Sequence, residues 1–113
     1  MKQVKNWGDP VKLGLYTLSS RVVMCALTRT RCDPSNGIPN DLLVEYYTQR
    51  SSAGMIFTEA SAWSPRGHAY PGAGNFYKKE QVQGWKKVVD SVHSKKGRIF
   101  LQLFHSGRAT HQK

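Results

Sequence analysis

The sequence is poor in acidic residues, with 7 Asp and Glu against 17 Lys and Arg in 113 residues and a formal net charge of +10. A chain this basic can bind nucleic acid. Its lysines, however, come in pairs along a predicted helix without aromatic residues between them, which favours a solvated helix face. A larger protein whose acidic residues lie elsewhere is a second explanation. We therefore expect no nucleic-acid partner. The pairs are Lys78-Lys79, Lys86-Lys87 and Lys95-Lys96.

Long hydrophobic runs are also missing. No apolar stretch approaches the ~20 residues that a membrane span requires. The basic residues 1–7 are not followed by the apolar stretch of a secretory signal. The 2 cysteines, Cys25 and Cys32, lack metal-ligand spacing. We expect two reduced thiols, one buried and one in a loop, in a cytoplasmic protein without membrane contact.

What is present suits a globular core, because 39% of the residues are hydrophobic and 21% are charged. The length allows one small domain. The unbroken apolar run at residues 22–27 predicts a first strand that is buried on both faces. Thr28 and Arg29 follow where this strand leaves the core. Ligands gather at the carboxyl ends of strands in sheets wound with helices, so this end is a candidate site.

The remaining elements follow from periodicity and from turn and cap residues. A hairpin at residues 11–18 has Gly near its middle and lies outside the main sheet. A first helix begins after Asn40 or Asp41 and ends at Gly54, and a second covers residues 79–96 and ends at Gly97. Further strands cover residues 55–59 and 98–104, and an ordered loop covers residues 61–76. The predicted buried faces are Leu42, Leu43, Tyr46 and Tyr47 on the first helix, and Val82, Trp85, Val88, Val89 and Val92 on the second.

The alternation of strand, helix and strand predicts parallel strands with right-handed crossovers. Connections after strands are long and those after helices are short, which collects the long loops at the carboxyl edge of the sheet. A (β/α)₈ barrel builds its site from such loops. A doubly wound sheet is the alternative, and the lack of Gly-x-Gly-x-x-Gly after the first strand disfavours it.

Polar groups end each predicted strand. The neutral hydrogen-bonding groups of Thr28 and Gln102 suit the edge of a flat heteroaromatic ring, and the small Ala60 allows its close approach. Structural roles are also open: Thr28 as a loop cap, Gln102 as a partner for buried backbone, and Glu59 paired with an arginine. His105 and His111 flank a basic turn but lack a carboxylate or thiol partner, so we expect no metal site.

The chain resembles the N-terminal part of the old yellow enzyme family, which includes the 12-oxophytodienoate reductases. The similarity covers nearly the whole chain from about Val11, in many ordered motifs. They are Met24-Cys25-Ala26-Leu27-Thr28-Arg29, Gly37-Ile38-Pro39-Asn40, Glu45-Tyr46-Tyr47-x-Gln49-Arg50, Ala53-Gly54, Thr58-Glu59-Ala60, Ser64-Pro65, Gly67-x-x-Tyr70-Pro71, Glu80-Gln81-Val82-x-x-Trp85-Lys86, Val92-His93 and Gln102-Leu103-Phe104-His105-x-Gly107-Arg108.

The resemblance implies an FMN-binding (β/α)₈ TIM barrel that reduces activated C=C bonds, as in α,β-unsaturated carbonyls, with NAD(P)H as reductant. It places residues 26–28 (Ala26, Leu27 and Thr28) at the first flavin contact, with the Thr28 hydroxyl near a flavin carbonyl. Ala60 matches the small residue whose backbone touches the isoalloxazine, and Gln102 matches the glutamine at its pyrimidine edge. Phe104 takes a substrate-pocket position that is often Trp, and Cys25-Ala26 replaces the usual Ala-Pro or Pro-Pro.

The resemblance also implies that residues 1–113 are an incomplete FMN-binding TIM-barrel domain, because a whole barrel requires ~250 residues. The family's substrate-binding His-x-x-Asn or His-x-x-His pair, proton-donor tyrosine and phosphate-binding arginine follow the third strand and are absent here, so no catalytic residue is assigned. We expect the chain alone to be inactive and to need a complementing chain or a homo-oligomer. The alternatives are a non-enzymatic basic binding module and a non-functional gene fragment.

Overall fold

The computed structural model describes residues 6–110; the basic residues 1–5 and His111 lie outside this range. Residues 6–110 form two helices and six strands, with short 3₁₀ turns at Pro65–Gly67 and Gly107–Ala109. The strands are β1 (Val11–Leu13), β2 (Tyr16–Leu18), β3 (Val23–Met24), β4 (Met55–Ala62), β5 (Gly74–Asn75) and β6 (Ile99–Phe104), and the helices are α1 (Asp41–Thr48) and α2 (Lys79–Ser94).

Strand β4 is the centre of a parallel sheet. It pairs with β3 at Met24↔Ile56, with β5 at Ser61↔Gly74, and with β6 from Ile99 to Phe104. β5 and β6 both pair with Ser61 and Ala62, so they lie on opposite sides of β4. β3 and β6 both pair with Ile56, so β3 lies on the same side of β4 as β5. The α/β architecture with parallel strands, predicted from the alternation of elements, is confirmed.

The hairpin predicted outside the main sheet is also present. β1 and β2 form a separate antiparallel pair. Gly14 has φ +58°, a left-handed conformation that glycine adopts without steric cost.

Strand β3 differs from the prediction. It spans residues 23–24 only, and Val22 and Val23 are 43% and 39% exposed, so a strand buried on both faces is wrong. β3 is an edge strand in the described part of the chain, and β4 is the one strand it pairs with there. An apolar sequence shows that a strand can be buried, but the elements that lie beside the strand decide whether it is.

Helix α1 begins as predicted, because the Asn40 side chain accepts a hydrogen bond from the Leu43 N–H at 3.3 Å. Leu43 and Tyr47 are buried, but Leu42 is 62% exposed, contrary to prediction. The helix ends at Thr48, and Gly54 does not terminate it.

Helix α2 buries Trp85, Val88 and Val92 as predicted, with Val89 half-buried, while Val82 is 37% exposed. The stripe is shifted toward Gln81 and Gly84, which are buried. Gly97 is not the left-handed residue after the helix; Lys96 is, with φ +61°. Neither helix in residues 6–110 has the length and apolarity to cross a membrane.

Candidate functional site

The carboxyl ends of β4 and β6 place two of the predicted site residues side by side. Ala60 pairs with Gln102, and Ala62 pairs with Phe104. Side chains two residues apart on a strand share a face, so Ala60, Gln102 and Phe104 belong to one surface. Gln102 is exposed, whereas Ala60 and Phe104 are half-buried. A planar amide therefore stands beside a small side chain at this edge of the sheet.

A bulge in β4 precedes this pair. Phe57 pairs with Phe100 but Ala60 pairs with Gln102, so β4 carries one more residue than β6 between the pairs. The buried Thr58 hydroxyl oxygen accepts the Gln102 backbone N–H at 3.1 Å, which replaces a ladder hydrogen bond. No local sequence pattern predicts this bulge, which sets the position of Gln102 relative to Ala60.

The segment after β3 reaches the same end of the sheet. Ala26 and Thr28 are half-buried and Leu27 is 50% exposed. The backbone N–H of Arg29 donates to the Glu59 Oε2 at 3.1 Å. Thr28 therefore precedes a residue that contacts β4 next to Ala60. The structure brings residues 26–28 to the strand end where Ala60 and Gln102 meet.

Glu59 is a buried acidic residue at this end of the sheet, and the sequence motifs assign it no contact with a ligand. It is 0% exposed, and its backbone N–H donates to the Tyr47 hydroxyl at 2.8 Å. Burial raises the pKa of the Glu59 carboxyl. Its partner is the backbone of Arg29, whereas the Arg29 guanidinium lies over the Tyr46 ring, 5.2 Å from its centroid. The position of Glu59 in a mostly apolar run is the sequence feature that points to a buried carboxyl group.

The sequence places Cys25 in the buried first strand and Cys32 in the loop after it, and the structure reverses their burial. Cys32, in the loop, is 3% exposed, whereas Cys25 is exposed. The Cys32 thiol donates to the Glu59 Oε1 at 3.5 Å. Burial, together with the nearby Glu59 carboxylate, raises the pKa of the Cys32 thiol well above its usual range. Neither cysteine is in a disulfide.

This difference predicts unequal thiol reactivity. We expect Cys25 to react promptly with a disulfide reagent such as Ellman's, and Cys32 to react about a hundredfold more slowly in the folded chain, because it must first be exposed as a thiolate. Release of thionitrobenzoate before and after adding urea measures both. Cys25→Ser should abolish the prompt reaction, and Cys32→Ser should preserve it. Two prompt thiols in the folded protein would contradict the burial of Cys32.

The histidines near the site make local contacts. His105 accepts the Gly107 N–H at 2.9 Å, and its ring lies 5.5 Å from that of Trp63. His68 bonds to the Asn75 side chain at 2.8 Å. Within residues 6–110, no three His, Cys, Asp or Glu side chains form a group that could hold a metal ion.

Comparison with known proteins gives consistent matches. Residues 8–113 match the NADH:flavin oxidoreductase / NADH oxidase family. The chain is 42% identical over 105 residues to 12-oxophytodienoate reductase 7 of Oryza sativa subsp. japonica, covering 92% of this chain and 26% of that protein. It is 42% identical over 101 residues to a probable flavin mononucleotide-dependent alkene reductase of Leishmania infantum, covering 89% of this chain and 27% of that protein.

A solved structure agrees with these sequence matches. The old yellow enzyme from Trypanosoma cruzi superposes with a TM-score of 0.88 at 40% identity, over 92% of this chain and 28% of that one. The chain therefore spans about a quarter of the length of the relatives it matches.

Proposed function

Because the chain belongs to the NADH:flavin oxidoreductase / NADH oxidase family, we propose that it supplies the part of an FMN-dependent ene-reductase that holds the pyrimidine edge of the flavin. The resemblance to the old yellow enzymes is confirmed, and so is the fold prediction of an N-terminal portion of a (β/α)₈ TIM barrel. FMN is the cofactor of this family. The substrate class that we propose is α,β-unsaturated carbonyl compounds, with NAD(P)H as reductant.

The observation that carries the proposal is the pairing of Ala60 with Gln102 at the carboxyl ends of adjacent parallel strands. The exposed Gln102 amide can donate and accept at once, which matches the alternating donors and acceptors of a pyrimidine edge. The small Ala60 side chain leaves room for a flat ring against the backbone. Thr28 can add a hydroxyl donor from the end of the segment that Arg29 ties to β4. This donor set fits a flavin.

When bound, FMN supplies the hydride chemistry, and this chain's residues bind and orient it. Residues 26–28, Ala60 and Gln102 would hold the ring, with the Thr28 hydroxyl polarising a flavin carbonyl. Phe104, half-buried on the same face as Gln102, would line the substrate pocket. Because Phe is smaller than the Trp frequent at this position in the family, we propose a roomier pocket that changes substrate choice.

We further propose that residues 1–113 form an incomplete FMN-binding domain that does not turn over alone. In residues 6–110, the edge of β6 away from β4 has no partner strand, and β3 is an edge strand. A groove of about 610 Å³ beside β3, lined by Trp7, Val22 and Arg50 among others, is suited to a further packing element. A complementing chain or a second copy would cover these surfaces. The unpaired cysteines favour a cytoplasmic location.

Titration with FMN tests the flavin-binding proposal. In ¹⁵N-labelled protein, we expect added FMN to shift the amide signals of residues 28, 60 and 102 selectively. Gln102→Leu should weaken the binding about tenfold, because it removes hydrogen bonds worth about 1 kcal/mol or more. Gln83→Leu, an exposed glutamine on α2, is the matched control and should leave the affinity unchanged.

The same preparation tests the incompleteness proposal. We expect the purified chain to be colourless and to show no NAD(P)H oxidation with an enone. Shifts that are absent at millimolar FMN, or equal in Gln102→Leu and the wild type, would contradict the flavin site. Stoichiometric bound flavin with turnover would contradict the incomplete domain.

A further inference from the structure

The turn that follows Thr28 is strained. Thr30 has φ +54°, in the left-handed region, and a β-branched residue there is a rare outlier. Such a conformation persists only where the surrounding structure holds it. The strained residue lies two positions after Thr28, the hydroxyl donor of the proposed flavin site. Whatever fixes this turn therefore also fixes the end of the segment that carries Thr28.

The Glu59 carboxylate contacts the turn on both sides of Thr30. Its Oε2 accepts the Arg29 N–H at 3.1 Å, and its Oε1 accepts the Cys32 thiol at 3.5 Å. Glu59 is fully buried, and its backbone N–H is held by the Tyr47 hydroxyl at 2.8 Å. A buried carboxylate is costly unless it is hydrogen-bonded, and both of its oxygens are used on this one turn.

Other contacts hold the far end of the turn. The Cys32 N–H donates to the Gly72 carbonyl at 3.1 Å, and the Asn40 side chain donates to the Arg31 carbonyl at 2.6 Å. The contact between Glu59 and Arg29 differs in position, because it lies at the start of the turn, one residue from Thr28.

We propose that Glu59 is a positioning residue that clamps the turn at residues 29–32 and thereby fixes the Thr28 hydroxyl for the flavin. The flavin part of this inference rests on the proposed function. Glu59 and Ala60 are adjacent on β4. Ala60 would contact the ligand, while the Glu59 side chain holds the segment that follows β3.

Amide hydrogen exchange by NMR tests the clamp without any ligand. In Glu59→Met, which removes both acceptor oxygens, we expect the Arg29 amide to exchange at least about tenfold faster relative to the Ile56 amide. The Ile56 N–H donates to the Arg98 carbonyl at 2.8 Å in the sheet, so it reports opening of the fold. Glu59→Gln keeps one acceptor, and we expect an intermediate rate; it also tests the clamp if the methionine variant does not fold.

Val88→Ala is the matched control. It leaves a cavity in the core beneath the sheet but removes no hydrogen bond to Glu59 or to residues 29–32, so the Arg29 and Ile56 amides should accelerate together. An Arg29 rate that follows the Ile56 rate equally in the Glu59 variants would overturn the clamp, because a merely stabilising core residue would do the same.

Adding FMN separates this inference from the proposed function. We expect Glu59→Met to reduce the size of the FMN-induced shift of the Thr28 amide signal about tenfold at the same FMN concentration. If FMN shifts nothing in the wild type while Arg29 exchange depends on Glu59, the clamp stands and the flavin site fails. If FMN shifts Thr28 equally in the wild type and in Glu59→Met, the positioning role fails while the flavin site stands.

Discussion

Trp85→Ala is expected to destabilise the chain by about 3–5 kcal/mol, a large part of the stability of a domain of this size. Trp85 is 2% exposed at the centre of the core beneath the sheet, with its ring centroid 6.2 Å from that of Tyr47. Its indole N–H donates to the Asn75 carbonyl at 3.1 Å. The substitution leaves a large cavity and an unpaired buried carbonyl. Urea denaturation followed by circular dichroism measures the free energy of unfolding.

Two variants separate the causes of this loss. Trp85→Phe keeps most of the ring volume but removes the N–H, so we expect a smaller loss of about 1–3 kcal/mol. Trp63→Ala removes a tryptophan that is 55% exposed, and we expect a change within about 1 kcal/mol. Equal losses at Trp85 and Trp63 would mean that the core is not organised around α2.

Gly54→Ala is expected to cost about 3 kcal/mol, because no Cβ fits where the chain enters β4. A Cβ on Gly54 would overlap the carbonyl oxygen of Ser20 and lie 2.9 Å from its carbonyl carbon. The Gly54 N–H donates to the Val22 carbonyl at 2.9 Å. Both neighbours are backbone, so relief requires moving the chain that leads into β3 away from β4.

The glycine at position 8 provides the control, because a Cβ there meets nothing within 4 Å. We expect Gly8→Ala to change the free energy of unfolding by less than about 0.5 kcal/mol. Urea denaturation measures stability, and the Val22 amide shift reports displacement of the chain that leads into β3. A Gly54→Ala chain as stable as Gly8→Ala would show that β3 does not need this close approach to β4.

The secondary structure could largely be predicted because its signals are local. The N-cap of α1 at Asn40 and the glycine of the hairpin at Gly14 depend on a few adjacent residues. The stripe of Trp85, Val88 and Val92 depends on helical spacing alone. Parallel pairing followed from the order of strands and helices, since a parallel connection needs a crossover.

The predictions that the structure contradicts concern residues whose environment depends on distant parts of the chain. Val22 and Val23 are exposed because β3 is an edge strand in the described part of the chain. Cys32 is buried because its loop folds back onto Glu59. Gly54 has a steric role against Ser20, which no helix-termination signal describes. The short β5 at Gly74–Asn75 was predicted as loop, because two residues carry too little pattern to detect.

The α/β order, the direction of the strands, the family motifs and the residue types at the strand ends can all be read from the amino-acid order, because they depend on local periodicity and spacing. How those strand ends meet depends on tertiary packing. Glu59 and Arg29 are 30 residues apart, and the bulge that aligns Ala60 with Gln102 exists only between two paired strands. Contacts of this kind form when distant segments pack together, so no local pattern encodes them.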